Sequence, residues 1–247
     1  MALGQVTIMN IQLFIPCFVD QLYPQTAFNM IKVLEKTGCM VSYNTNQTCC
    51  GQAAFNAGFW NDSKAVCAKF IRDFEGLDYI VAPSASCVGF VRNYYSKLFD
   101  NSSVHNEVKE LSKRVFEFSE FMVKVLQIFN VGAVFEARAT YHDSCAALRE
   151  CRLKQEPRKL LANVKGLQLV ELNDAETCCG FGGTFAVKFE PISIAMSEQK
   201  VENALATEAD YLISTDLSCL MHLDGYIKHK GYSLKTLHIA DVLASGW

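Results

Sequence analysis

The chain has 247 residues, half of them hydrophobic and one fifth charged, which is typical of a folded globular protein with its own core. Its formal net charge of −3 argues against a nucleic-acid or anionic-membrane partner. The sequence contains no apolar run near the roughly 18 residues that cross a bilayer, so we do not expect an integral membrane protein. Met1 to Asn10 lack the features of a signal peptide, so we expect a cytoplasmic protein with reduced thiols.

The apolar patterns of both halves alternate between strand and helix. In chain order, the first half predicts a strand at 11–15, a helix ended by Gly38, a strand at 41–43, a helix capped by Asp62 and a strand at 79–82. The second half predicts strands at 139–141, 167–172 and 211–214, with a helix from Pro191 to about Ala206 before the last strand. Strands that alternate with helices predict parallel sheets.

Between the halves, apolar residues recur at alternating steps of three and four, which predicts one long amphipathic helix. The stripe consists of Val108, Leu111, Val115, Phe118, Met122, Val125 and Phe129. The predicted fold is therefore α/β, with two pseudo-symmetric lobes, each a small parallel sheet with flanking helices, joined by this helix. The predicted domains are a first lobe at 1–100, a connecting helix at 101–135 and a second lobe at 136–247.

Eleven cysteines are the unusual feature of the composition, because a reduced chain of this length does not depend on disulfides. Eight of them form a motif that occurs twice, with offsets of 128, 129, 129 and 132 residues between matching cysteines. The first copy is Cys17, Cys49-Cys50-Gly51 and Cys87; the second copy is Cys145, Cys178-Cys179-Gly180 and Cys219. The repeat predicts a tandem duplication.

The paired cysteines are better suited to metal binding than to disulfide formation. Neighbouring Cα atoms lie about 3.8 Å apart, below the usual disulfide range of about 4.4–6.8 Å. The single cysteines follow predicted strands, and the carboxyl ends of parallel strands meet at one edge of a sheet. Thiolates bind zinc, copper(I) or iron–sulfur clusters, and the wide spacing differs from the paired knuckles of structural zinc sites. We therefore predict that all eight cysteines are metal and cofactor ligands.

The motif resembles the duplicated cysteine-rich (CCG) domain of the active subunit of heterodisulfide reductase over nearly the whole chain. Within that superfamily, the sequences 178–185, 49–52 and 83–87 look like the lactate-utilisation protein A group, also known as glycolate oxidase iron–sulfur subunit-like proteins. The resemblance implies [4Fe–4S]-type clusters, one or two per chain, held at the eight cysteines. It also implies an iron–sulfur partner subunit and a non-flavin role in oxidising L-lactate or a related 2-hydroxy acid.

One departure from the wider family concerns the last motif of each lobe. The family has Cys-x-x-Cys there, whereas this chain has Ser84-x-x-Cys87 and Asp216-x-x-Cys219. An oxygen ligand could replace the fifth sulfur, the cluster could be smaller, or one lobe could lack metal. If only one lobe holds metal, we expect the second, because Gly182 and Gly183 give the backbone room for close approach.

A few residues outside the motif also need an interpretation. His142 and Asp143, beside Cys145, either tune the second site or belong to the core, and His222 is a weaker candidate of the same kind. Three further cysteines have no counterpart in the other lobe and are interpreted as thiols without a role: Cys39, Cys67 and Cys151.

The sequence therefore predicts an iron–sulfur electron-transfer component of a 2-hydroxy-acid oxidation complex. One alternative is a structural zinc-binding scaffold protein. Another is a thiol–disulfide catalytic subunit similar to that of heterodisulfide reductase. No dinucleotide-binding glycine fingerprint and no hydrolase motif occurs, so flavin, nicotinamide and hydrolytic chemistry are not expected.

Overall fold

The structure is a computed structural model that describes residues 9–247. The sequence-based prediction about a signal peptide in Met1 to Asn10 therefore falls almost wholly outside the described residues. Within residues 9–247, no helix is long and apolar enough to cross a membrane.

The first lobe contains four strands and the helices between them. Its strands are β1 (Met9–Leu13), β2 (Cys39–Tyr43), β3 (Tyr79–Ala82) and β4 (Val115–Glu117). Its helices are α1 (Cys17–Leu22), α2 (Pro24–Lys36), α3 (Gln52–Asn56), α4 (Trp60–Asp73), α5 (Ala85–Leu98), α6 (His105–Arg114) and α7 (Phe118–Glu120), followed by a π-helical turn at Phe121–Val125.

The second lobe repeats this order. Its strands are β5 (Val134–Tyr141), β6 (Lys165–Val170), β7 (Tyr211–Ser214) and β8 (Lys235–His238). Its helices are α8 (Cys145–Arg149), α9 (Gln155–Leu161), α10 (Thr184–Lys188), α11 (Glu190–Leu205), α12 (Leu217–Lys230) and α13 (Ile239–Leu243).

The two sheets have the same topology. Their strand orders are β2-β1-β3-β4 and β6-β5-β7-β8, and all neighbouring strands are parallel. Equivalent registers recur: Leu13 pairs with Val81 in one sheet, and Tyr141 pairs with Ile213 in the other. The predicted α/β fold with two pseudo-symmetric lobes is therefore confirmed.

The lobes share a central core. Helices α2 and α13 pack on each other between the sheets, and so do α7 and α9, so each pair joins one helix from each lobe. The side chains of Thr26 and Asn29 donate hydrogen bonds to Asp241 across the first pair, at 3.0 and 2.9 Å. Two smaller cores lie on the other faces of the sheets, under α4 and α5 in the first lobe and under α11 and α12 in the second.

The long connecting helix predicted over 101–135 does not form. Helix α6 ends at Arg114, and Val115 to Glu117 instead add a fourth parallel strand to the first sheet, paired with Ile80 to Ala82. The buried Glu117 side chain then accepts a hydrogen bond from the backbone N–H of Glu120 and so begins a separate turn of helix. Pairing with the free edge of the sheet thus outweighs the helical periodicity of this segment. The domain boundaries at 100 and 135 stay a prediction.

Most other predicted elements are present with shifted ends. The strands at 79–82 and 211–214 are confirmed to the residue, and the other strands are displaced or extended. The predicted cap at Asp62 is wrong: α4 begins at Trp60, its N-cap residue is Phe59, and Asp62 lies in its first turn. An acidic side chain there still interacts favourably with the helix dipole.

Candidate metal centre

All eight cysteines of the repeated motif line a single cavity of about 240 Å³ between the lobes. The sequence predicted one site in each lobe, and the structure brings both groups of four to the same cavity. The cavity lies at the carboxyl ends of the strands of both sheets, as expected for a ligand site in a parallel α/β fold. All eleven cysteines of the chain are free thiols.

The single cysteines lie at the N-termini of helices. Cys17 and Cys145 are the first residues of α1 and α8, and Cys87 and Cys219 lie in the first turns of α5 and α12. The 14-residue helices α5 and α12 direct the positive ends of their dipoles toward the cavity. The positive end of a helix dipole stabilises negative charge, which a metal centre bound by thiolates would carry.

The Cys-Cys-Gly turns depend on their glycines. Gly51 and Gly180 have φ values of +90° and +91°, in the left-handed region that residues with a Cβ rarely adopt. Their N–H groups point back at sulfur, at 3.3 Å from Cys49 Sγ and 3.5 Å from Cys178 Sγ. This turn lets both cysteines of each pair line the cavity.

A serine on the following long helix holds each turn from behind. Ser63 Oγ donates to the Gly51 carbonyl at 2.9 Å, and Ser193 Oγ donates to the Gly180 carbonyl at 2.8 Å. One turn further along, Cys67 Sγ and Ser197 Oγ contact the carbonyls of Cys50 and Cys179. Cys67 therefore has a structural counterpart that the cysteine pattern alone did not reveal.

The thiols of each lobe lie close enough together to shift one another's pKa values. Hydrogen bonds from Cys17 and Cys50 strongly lower the pKa of Cys49. The pKa of Cys50 is raised, because Cys50 donates its proton in the bond to Cys49. The second lobe repeats the arrangement, with the pKa of Cys178 lowered by bonds from Cys145 and Cys179. Each lobe thus places one thiolate among thiol donors, which is a strong attractor for a cation.

Ser84 and Asp216, at the positions where the wider family has a further cysteine, act as helix caps. Ser84 is the N-cap residue of α5, and Asp216 is the N-cap residue of α12. Asp216 also reaches the other lobe, where its Oδ2 accepts a hydrogen bond from the Ser86 N–H at 2.9 Å. Both Asp216 oxygens are engaged in this way, which disfavours the expectation of an oxygen ligand.

The residues next to Cys145 have different environments. Asp143 forms a bidentate ion pair with Arg158, with both N···O distances at 2.8 Å. This pair links α9 to the segment that precedes Cys145. His142 has no exposed surface, and neither of its ring nitrogens has a hydrogen-bond partner. One of them lies within 4.8 Å of both Cys179 Sγ and Cys219 Sγ. Burial lowers the pKa of His142 to about 3, so the ring is neutral and able to bind a metal.

The other candidates lie outside this group. His222 Nε2 is hydrogen-bonded to Ser193 Oγ at 3.0 Å and supports the Cys-Cys-Gly turn from behind. Cys151 packs in the core of the first lobe, with Sγ 3.4 Å from the carbonyl oxygen of Ala85. Cys39 begins β2 in the central core, at the strand end away from the cavity.

The thiols that line the cavity, together with His142 beside Cys179 and Cys219, form a donor set that fits a metal cofactor. Thiolate sulfur and neutral imidazole bind soft and borderline transition metals. Among the described residues, Asp216 is the only acidic residue that lines the cavity, and no lysine or arginine lines it. Cys179, Cys219 and His142 are the one group of three candidate ligands within residues 9–247 whose donor atoms all lie within 4.8 Å of one another.

Comparison with known proteins agrees with the fold and the repeat. A family model described as a cysteine-rich domain (CCG) matches the chain twice, at residues 11–92 and 139–224. The chain belongs to the CCG cysteine-rich domain family and carries the domain in duplicate.

Within that family, the chain belongs with the lactate utilization proteins A. It is 43% identical over 235 residues to Lactate utilization protein A of Halalkalibacterium halodurans, covering 95% of this chain and 96% of that protein. It is 41% identical over 237 residues to the protein of the same name from Geobacillus sp. strain WCH70, covering 96% of this chain and all of that protein.

A solved structure shares the fold at low sequence identity. It is a hypothetical protein from Helicobacter pylori, with a TM-score of 0.60 and 14% identity. The match covers 96% of this chain and 49% of the other, so this chain spans about half of that protein.

Proposed function

We propose that this protein is an iron–sulfur electron-transfer component of a system that oxidises L-lactate or a related 2-hydroxy acid. The convergence of eight thiols from both lobes on one cavity is the observation that carries the electron-transfer role. The substrate class rests on the relatives, which are named lactate utilization proteins A. A [4Fe–4S]-type cluster, one or two per chain, would supply a reversible one-electron couple.

The spacing of the sulfurs supports a polynuclear centre over single zinc ions. A tetrahedral zinc ion with bonds of about 2.3 Å needs its sulfurs about 3.8 Å apart. Of the described residues, only Cys179, Cys219 and His142 form a group of three candidate ligands within 4.8 Å of one another, one fewer than the four ligands of a structural zinc ion. An open chain of thiols in each lobe suits several metal atoms bridged by other ligands.

The chain's own residues would hold the centre and adjust its potential. The eight cysteines would bind it, and the N–H groups of Gly51 and Gly180 would donate hydrogen bonds to coordinated sulfur. Such donors stabilise the reduced, more negative state. The two lobes around the cavity would limit the access of water.

The lining of the cavity favours a subunit that passes electrons over one that binds the hydroxy acid. A 2-hydroxy acid carries a carboxylate, which proteins bind with arginine or lysine. No such residue of the described chain lines the cavity. We therefore assign substrate binding to another component and propose an iron–sulfur partner subunit as the electron acceptor.

The test is the metal content of protein purified without oxygen. Iron and acid-labile sulfide, with broad absorption near about 400 nm, are expected. Cys50→Ser and Cys179→Ser should each lose the metal of one lobe, whereas Cys39→Ser, a buried cysteine away from the cavity, should lose none. Stoichiometric zinc without colour would overturn the electron-transfer proposal and favour a structural zinc protein.

A further inference from the structure

The two lobes differ at one pair of buried positions beside the thiols. The backbone N–H of Phe14 donates to the Val81 carbonyl at 3.0 Å, and that of His142 donates to the Ile213 carbonyl at 2.8 Å. Phe14 and His142 each directly follow the first strand of a lobe, so they are equivalent positions. The first lobe has a phenyl ring where the second has an imidazole.

The residue that packs next to this position is also aromatic in the first lobe and polar in the second. In the first lobe, Phe70 of α4 packs edge-to-face on Phe14, with ring centroids 4.8 Å apart. The equivalent residue of α11 is Lys200, seven residues after Ser193 just as Phe70 is seven residues after Ser63. The second lobe therefore buries a histidine and a lysine where the first buries an aromatic pair.

Lys200 has its own partners, and His142 does not. Lys200 Nζ donates to the carbonyls of Asp174 and Ala175 at 2.6 and 3.1 Å. Both nitrogens of the His142 ring are buried without a hydrogen-bond partner. A buried polar group without a hydrogen-bond partner is destabilising. A bond to metal would remove that penalty.

The backbone fixes His142 beside the sulfurs. Its N–H and carbonyl are both bonded to β7, the latter by Ser214 Oγ at 3.0 Å. The ring is held within 4.8 Å of Cys179 Sγ and Cys219 Sγ, and no part of it reaches solvent. The imidazole thus lies in the position of an additional ligand for whatever those two cysteines bind.

We propose that His142 is a nitrogen ligand of the metal centre in the second lobe, beside Cys179 and Cys219, and that the first lobe binds its metal through thiolates alone. The inference rests on the proposed function for the presence of a metal. A neutral nitrogen ligand and the nearby Lys200 side chain make the second centre less negative than the first. The second centre is therefore the more easily reduced of the two, because net charge is a main determinant of cluster potential.

The first experiment uses the unmodified protein, so that folding of a variant is not in question. Protein purified without oxygen, with and without ¹⁵N-labelled histidine, is reduced and examined by pulsed EPR. A strong nitrogen coupling that changes with the label is the expected result. Metal without such a coupling would overturn the inference and leave the proposed function intact, whereas protein without iron would overturn the proposed function itself.

The second experiment isolates one lobe at a time. His142→Phe, which copies the first lobe, is introduced together with Cys50→Ser, so that only the second centre remains. Its potential should shift to a more negative value and the histidine coupling should vanish. The same substitution together with Cys179→Ser leaves only the first centre, whose potential should not change.

A cavity variant covers the case in which His142→Phe does not fold. His142→Gly should lose the nitrogen coupling and regain it when free imidazole is added. If the spectrum and potential of the second centre are unchanged in His142→Gly, His142 is not a ligand.

Discussion

Ser84 and Asp216, which hold the same position in the two lobes, face each other in an isolated antiparallel bridge. Asp216 Oδ1 accepts from Ser218 Oγ at 2.7 Å within its own lobe, and Oδ2 accepts from the Ser86 N–H at 2.9 Å in the other. One buried carboxylate therefore ties together the N-termini of α5 and α12, which carry Cys87 and Cys219.

Asp216→Ala should lower the free energy of unfolding by about 2 kcal/mol, because it removes a helix cap and the bond to Ser86 together. Asp216→Ser, which copies the first lobe, keeps a cap and should cost about half as much. Denaturant unfolding of the metal-free protein measures both effects. Metal content should be retained in Asp216→Asn, and loss of metal there would indicate an oxygen ligand after all.

Gly180→Ala should destabilise the protein more than Gly51→Ala. Both backbones require a positive φ, which costs an alanine about 1–2 kcal/mol. A Cβ at Gly180 would lie 2.7 Å from the Ser193 carbonyl oxygen, whereas a Cβ at Gly51 would have its nearest contact at 3.1 Å. Thermal unfolding shows which variant is less stable. Equal losses of stability would show that the backbone around Ser193 relaxes.

Cys67→Ser should keep its full metal content, because Ser197 already occupies the equivalent place in the second lobe. Cys50→Ser, at a cysteine only one hydrogen bond away, should lose the metal of its lobe. Iron analysis of the two variants in parallel separates a ligand from a supporting thiol. Equal iron loss in both variants would mean that Cys67 is itself a ligand.

Glu117 should make the free energy of unfolding fall as the pH rises, whereas an ordinary ion-paired carboxylate makes it rise. Burial, with Glu120 nearby, raises the pKa of Glu117 from 4.5 to about 7. Between these values the native state binds a proton that the unfolded state has lost, so stability falls as pH rises through this window. The loss reaches about 3 kcal/mol above pH 7.

Glu117→Gln keeps an acceptor for Ser119 and the Glu120 N–H and removes the titration. It should raise the free energy of unfolding at pH 8 and leave it nearly unchanged at pH 4. The ion pairs of Glu120 with Arg92 and Lys124 are unchanged in this variant, so the difference reports on Glu117 alone. Urea unfolding at the two pH values checks the effect, and an unchanged pH profile would contradict it.

The sequence was sufficient for the repeat, the parallel α/β lobes and the eight cysteines around the cavity. It did not reveal β4, because Val115 and its neighbours fit a helical stripe as well as a strand, and only the free edge at β3 decides between them. The strand β8 was missed because Lys235 to His238 is a short edge strand with little apolar content.

Other features of the site depended on contacts that the sequence spacing does not encode. The shared cavity follows from the packing of the lobes, which the repeat did not predict. The cysteine pattern does not by itself place Lys200 near the site. Lys200 follows Phe70 by 130 residues, however, which lies within the range of 128 to 132 residues between matching cysteines, and this offset indicates its place. The unpaired nitrogens of His142 became visible only once its burial was known.

The contacts between the lobes come in equivalent pairs, α2 with α13 and α9 with α7, and likewise α1 with α12 and α8 with α5. Such an interface is the kind that a symmetric homodimer has. The two lobes of this single chain thus pack on each other as the two subunits of a homodimer do. In a true homodimer, both subunits would carry Phe14 and Phe70, or both would carry His142 and Lys200. A single chain with two halves can instead carry the polar pair in one half and the aromatic pair in the other.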